Sequence, residues 1–158
     1  MSDECFSLQY AVEVEIDEVS GNLIRETWRN EKGDIDRSGD LPAITSYCPI
    51  SGRITEKMWY RNSKGHRENQ KPAVLRYDAK TGKELVRGYR TNGLPDREVN
   101  QPTAIYHTAE GKLLQRSFYV AGKKRRTDGP ALETFDEESG ALERQEFWIE
   151  GLPVEPFV

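Results

Sequence analysis

Gly82-Lys-Glu-Leu-Val-Arg-Gly-Tyr89-Arg-Thr-Asn-Gly93-Leu-Pro-Asp-Arg97-Glu-Val-Asn-Gln-Pro102-Thr-Ala104-Ile-Tyr106 decides the fold, because its landmarks return along the whole chain. Glycines Gly21, Gly52, Gly82, Gly111 and Gly140 stand 31, 30, 29 and 29 residues apart. Seven residues beyond each comes an aromatic: Trp28, Trp59, Tyr89, Phe118 and Phe147. A second glycine follows (Gly33, Gly65, Gly93, Gly122, Gly151), then an arginine (Arg37, Arg67, Arg97, Arg126), then a proline (Pro42, Pro72, Pro102, Pro130). Three prolines precede alanine directly, at Ala43, Ala73 and Ala131, while after Pro102 the alanine is displaced to Ala104. A short apolar run closes each unit on Tyr47, Tyr77, Tyr106 or Phe135. A fixed period of this length is the signature of a repeat array.

Each unit reads as a glycine turn, a strand carrying the aromatic, a glycine-and-arginine loop, and a second short strand opened by proline. Glycine supplies positive φ in the turn without steric cost, and the first residue of a strand is one of the few places where a sheet tolerates proline. No stretch carries the 3.6-residue period of an amphipathic helix. The expected fold is therefore all-β: an elongated antiparallel sheet of tandem β-hairpins forming a single repeat domain over residues 1–158. A half-repeat (8–20), in which Tyr10–Ile16 alternates strictly, leads into units 21–51, 52–81, 82–110 and 111–139 and a partial unit 140–158. Strands are expected near 8–17, 22–30, 43–48, 53–61, 73–78, 83–91, 103–108, 112–120, 131–136 and 141–149, with the five aromatics mostly buried on one face as a ladder of neighbours.

The chain resembles the bacterial MORN-variant repeat proteins. Gly65-His66-Arg67…Pro72-Ala73 and Arg125-Arg126-Thr-Asp-Gly129-Pro130-Ala131 carry the resemblance, which spans roughly residues 10–153. The units are longer than short MORN units and lack their closely spaced Tyr-x-Gly-x-Trp. The resemblance implies β-hairpins stacked into an extended sheet and no particular activity.

Only 35% of the residues are hydrophobic and 32% are charged, a balance that suits a thin sheet with much surface. Seven Tyr, five Phe and three Trp argue against disorder. Two distant cysteines, Cys5 and Cys48, and the lack of an apolar run after the first methionine imply a reduced, cytoplasmic protein, and no run is long enough for a membrane helix. The net charge of -4 hides a segregation: residues 21–132 hold 22 Lys and Arg against 13 Asp and Glu, while residues 133–158 hold eight acids and Arg144 alone. The middle is basic and both ends are acidic. Glu13, Glu15, Glu143 and Glu146 on the terminal strands are expected to guard the open edges against end-to-end pairing, leaving a monomer or closed dimer.

Neither a metal-ligand spacing nor a nucleophile–base pair is visible around Cys5, Cys48, His66 and His107, so no catalytic or metal-binding residues and no cofactor are assigned. His66 reads as a loop residue whose counterparts elsewhere are Ile35, Asp96 and Arg125, and Cys48 as a small residue at a strand end. The arginine column is expected to tie each loop to a carboxylate or carbonyl of the next unit. The candidate binding residues are the second aromatics Tyr60, Tyr119 and Trp148, expected on the face opposite the main column, with Arg67, Arg97 and the cluster Lys123, Lys124, Arg125 and Arg126. These point to a non-enzymatic protein-interaction or scaffolding module, with a small inhibitor or host-interaction protein as a subclass, meeting another protein with an acidic surface. Nucleic acid or another anionic ligand along the basic middle ranks second, and a hydrolase using His66 or His107 third.

Overall fold

The computed structural model describes residues 9–155. Cys5, Asp3, Glu4 and the start of the half-repeat at Leu8 lie outside them, as do residues 156–158. The described chain is all-β, with no helix. Its strands are β1 (Ala11–Ile16), β2 (Leu23–Arg29), β3 (Ile44–Tyr47), β4 (Ile54–Met58), β5 (Tyr60–Arg61), β6 (Lys64–Gly65), β7 (Val74–Tyr77), β8 (Glu84–Gly88), β9 (Arg90–Thr91), β10 (Leu94–Pro95), β11 (Ala104–His107), β12 (Leu113–Ser117), β13 (Tyr119–Val120), β14 (Lys123–Lys124), β15 (Leu132–Phe135), β16 (Leu142–Ile149) and β17 (Leu152–Val154). Eleven of them form one antiparallel meander, β1-β2-β3-β4-β7-β8-β11-β12-β15-β16-β17, in which each strand pairs with the next along the chain. The tandem hairpins expected from the period are thus present.

Three of the expected strands are broken, and the break builds the loops. The expected spans 53–61, 83–91 and 112–120 end as sheet strands at Met58, Gly88 and Ser117, and Trp59, Tyr89 and Phe118 mark the break. Beyond it, β5-β6, β9-β10 and β13-β14 form separate two-stranded hairpins. Their two-residue turns have both central residues at positive φ: Asn62 (47°) and Ser63 (60°), Asn92 (51°) and Gly93 (87°), Ala121 (48°) and Gly122 (81°). This is the type I′ geometry that matches strand twist. The second-glycine column is therefore held in the second unit by Ser63 and not by Gly65, which instead pairs with Tyr60. Ser63 accepts the strain while its hydroxyl donates to Asp34 (2.9 Å) and accepts from the Ile35 amide (3.1 Å), joining the first two units.

The core is a row of alternating large and small residues. The amides of Trp28, Trp59, Tyr89 and Phe118 donate to the carbonyls of Ala43, Ala73, Thr103 and Ala131, and the amides of the latter four donate to Met58, Gly88, Ser117 and Glu146. A small residue thus separates each aromatic from the next, which corrects the ladder of neighbouring rings. The only ring pair among the described residues is Tyr10 with Trp28, at 6.1 Å. Ala43, Ala73 and Ala131 are fully buried. In the third unit this slot belongs to Thr103 and not to the displaced Ala104. Its hydroxyl donates to the Tyr119 carbonyl (3.0 Å) and accepts from the Tyr119 amide (2.8 Å), so burial costs it no hydrogen bond. Trp59, Tyr89 and Phe118 are buried, whereas Trp28 and Phe147, nearest the two ends of the sheet, are half-buried.

Turns line one long side of the sheet. Asp17, Asp78 and Asp136 each accept the amide three residues on at 2.7 Å, and Cys48 and Thr108 fill the same slot in the other two turns. Cys48 is thus a turn-capping residue, and the Ser51 hydroxyl holds its thiol below the usual range.

Candidate interaction surface

The opposite long side carries the short hairpins and the arginines. Each guanidinium lies over its own unit's aromatic: Arg37 on Trp28 and Arg67 on Trp59 at 3.7 Å, Arg97 on Tyr89 at 3.8 Å and Arg126 on Phe118 at 4.1 Å. Each also donates to its own unit's proline carbonyl, at Pro42, Pro72, Pro102 and Pro130. What the whole column shares is that each arginine folds its own loop over its own ring; the expected tie to a neighbouring unit is made by Arg67, which reaches the Asp40 carboxylate of the unit before at 2.7 Å. Further ties come from the residues after the turn glycines. Asn22 donates to the Pro49 carbonyl (2.6 Å), Lys83 to Glu110 (3.0 Å), Lys112 to Glu138 (2.7 Å), and Arg53 to Lys80.

A second set of ties runs along the hairpins. Asp36, His66 and Asp96 accept the backbone amides of Asn62 (3.1 Å), Asn92 (3.1 Å) and Ala121 (2.7 Å) in the following units. His66 is therefore the counterpart of Asp36, not of Ile35. It accepts through Nδ1, which places the proton of the neutral ring on Nε2. That nitrogen is buried and faces Oε1 of Glu68 at 3.1 Å. Arg125, fourth in this column, cannot accept an amide and pairs with Glu150 at 2.6 Å.

A concavity of about 550 Å³ opens between the first unit's loop (Asp36–Asp40) and the second unit's hairpin and arginine loop (Trp59–Lys71). Tyr60 and Arg67 both line it, so two of the expected binding residues meet here. Arg67 and Lys71 each reach the Asp40 carboxylate at 2.7 Å, Arg67 being the larger influence, and together they hold it well below the usual carboxylate range. His66 and Arg61 lower Glu68 in the same way. Sequence reasoning missed Asp40, Arg61, Glu68 and Lys71, which vary between units and so leave no periodic trace. Arg97 lies one unit on, over Tyr89. Tyr119 opens β13 and Trp148 sits in β16; with Tyr60 they are half-buried, and the third unit has Arg90 in the corresponding place.

Most of the basic cluster is neutralised within the chain. Lys124 pairs with Glu146 (2.7 Å), Arg125 with Glu150 (2.6 Å) and Arg126 with Asp128 (2.6 Å) and Glu133 (3.1 Å), leaving Lys123 exposed. The acids of the C-terminal segment thus meet the bases that precede them. Among the described residues no group of three His, Cys, Asp or Glu is placed to hold a metal ion, and no helix is long and apolar enough to cross a membrane.

Comparison with protein-family models, with curated proteins and with solved structures finds no match to this chain.

Proposed function

We propose that the chain is a MORN-like, non-enzymatic interaction module that binds another protein through the hairpin side of its sheet. The observation that supports this most is the asymmetry of the two long sides. The turn side consists of short, self-closed turns, whereas the hairpin side opens into the 550 Å³ cleft that presents Tyr60 and the charged groups of Arg61, Glu68 and Lys71. Arg67 stacked on Trp59 at 3.7 Å lines the cleft, and a preformed wall lowers the ordering cost of binding. His66 and Cys48 serve the framework, one accepting a backbone amide and the other capping a turn. The internal pairing of Lys124, Arg125 and Arg126 weakens the reading in which the basic middle meets an anionic ligand.

A photo-crosslinking residue placed at Tyr60, with a control at Thr81 on the turn side, tests this in living cells. A protein adduct of one defined mass from position 60 alone is the expected result. Equal labelling from both positions, or none from either, contradicts it.

A further inference from the structure

Phe147 continues the aromatic column, and the slot where an arginine covers the ring in the preceding units holds an acid. Trp59, Tyr89 and Phe118 each have their arginine eight residues on, at Arg67, Arg97 and Arg126; eight residues beyond Phe147 stands Glu155. Among the described residues no cation lies over Phe147, which stays half-buried. Concavities of about 510 and 220 Å³ flank it, and both are lined by Phe147, Trp148, Val154 and Glu155. The neighbouring Trp148 is already occupied, with Lys124 at 4.7 Å from its ring and Glu146 accepting from its indole nitrogen at 2.9 Å. Along Leu142–Glu146, β16 pairs with β15 on one side and has no described strand on the other.

From these observations we propose that this end of the sheet receives an arginine-bearing extended segment of a partner protein. The segment adds as an antiparallel strand to the outer edge of β16 and lays its guanidinium between the Phe147 ring and the Glu155 carboxylate. An open edge supplies the backbone hydrogen bonds of strand addition, and a ring face beside a carboxylate supplies selectivity for a cation. The geometry copies the chain's own: in the second unit Arg67 stacks on Trp59, and five residues later Pro72-Ala73 begins the strand that pairs beside it. The charged residues that line the two concavities are Arg126, Arg144, Glu146 and Glu155. Arg126 is engaged by Asp128 and Glu133 and Arg144 by Glu146, whereas exposed Glu155 meets no cation among the described residues, so the socket favours a basic segment over an acidic one. The proposal rests on the interaction-module reading and adds the site and the chemistry of the partner.

A synthetic peptide with the sequence of residues 66–78, labelled at its N-terminus, imitates the segment and serves as the probe by fluorescence anisotropy against the full chain. Saturable binding is expected. It should weaken at least tenfold when the peptide's arginine at position 67 is replaced by glutamate, and at least tenfold with the Glu155→Arg chain, whose own guanidinium then occupies the socket. Glu18→Lys, at the other end of the sheet, should leave binding unchanged. Glu155→Arg should also raise the thermal midpoint, because it completes the fifth arginine–aromatic pair; loss of folding in that variant would itself contradict the geometry. Absence of saturable binding, or binding indifferent to Glu155→Arg, overturns the proposal. So does competition by self-association of the chain, which would make the occupant a second copy. If the peptide fails while position 60 still crosslinks, the socket is wrong and the module reading stands.

Discussion

Arg67 lies 3.7 Å from the centroid of the Trp59 ring and, through the same guanidinium, donates to the Pro72 carbonyl at 3.0 Å. One side chain thus fixes the buried aromatic of its unit, the loop that follows and the proline that opens the next strand. Repeated at Arg37, Arg97 and Arg126, this clamp explains why aromatic, arginine and proline recur together.

Replacing Arg67 by lysine should be almost as costly as replacing it by alanine, because an ammonium cannot cover the ring and hold Pro72 and Asp40 at once. A loss of about 1–3 kcal/mol is expected from the stacking and the charge-assisted bonds together. Arg29→Lys, which alters an exposed pair with Glu13 and an exposed bond to the Gly33 carbonyl (3.2 Å), should change stability by less than about 1 kcal/mol. Urea unfolding of the two lysine variants checks the contrast.

Phe118 is 2% exposed, and Phe118→Ala should destabilise the chain by about 3–5 kcal/mol. Thr103→Val is a sharper test of the same row. It keeps the volume but strips the Tyr119 amide of its acceptor, at a cost of about 1–3 kcal/mol. A wild-type unfolding midpoint for Thr103→Val would mean that the small-residue slot tolerates any side chain of its size.

Asp40 is stabilised as a carboxylate in the fold by Arg67 and Lys71. A group with a depressed folded pKa contributes stability above its unfolded value, near 3.9 for aspartate, and loses that contribution as pH falls through the lower folded value. Asp40→Asn should therefore be less stable than the parent at pH 7, with the gap closing in acid. Because the carboxylate is 43% exposed, the gap should be small and reduced by salt. A gap that is constant from neutral pH into acid would remove the carboxylate from the account.

Both outer edges of the sheet carry acids. Glu13 and Glu15 lie on β1, and Glu143 on β16; Glu146, expected among the guards, is drawn inward by Lys124 and the Trp148 indole. Exposed Val12, Val14 and Ile16 at one end and Leu142 at the other supply the apolar surface that end-to-end pairing would use. Changing Glu13, Glu15 and Glu143 to glutamine should promote self-association in sedimentation at low salt. If the triple variant stays as dispersed as the parent, charge does not protect these edges.

The fold was legible because strand, turn and aromatic positions recur at a fixed period, and Gly21, Gly52, Gly82, Gly111 and Gly140 all sit at the positive φ that the pattern demands. The short hairpins were not, since strands as brief as Tyr60–Arg61 and Lys64–Gly65 fall below the length at which alternation is visible. Period also cannot tell which partner a recurring residue takes. The arginines recur because each unit needs its own clamp, while most links between units fall to residues whose chemistry varies, among them Asn22, Arg53, Lys83 and Lys112 on the turn side and Asp36, His66 and Asp96 on the hairpin side. The candidate cleft was half legible: Tyr60 and Arg67 stand in columns, but Asp40 and Glu68 owe their place to one loop packing against the next.

Native-state hydrogen exchange tests most directly the claim that the alternating row of aromatic and small residues holds the sheet together. The amides of Trp59, Ala73, Tyr89, Thr103 and Phe118, all bonded across that row at 2.7–2.9 Å, should be the slowest to exchange, opening only with global unfolding. The amides of the exposed edge strand β1 should exchange faster. Protection that is greatest in β1, or no slower in the row than in the edge strand, would contradict the account.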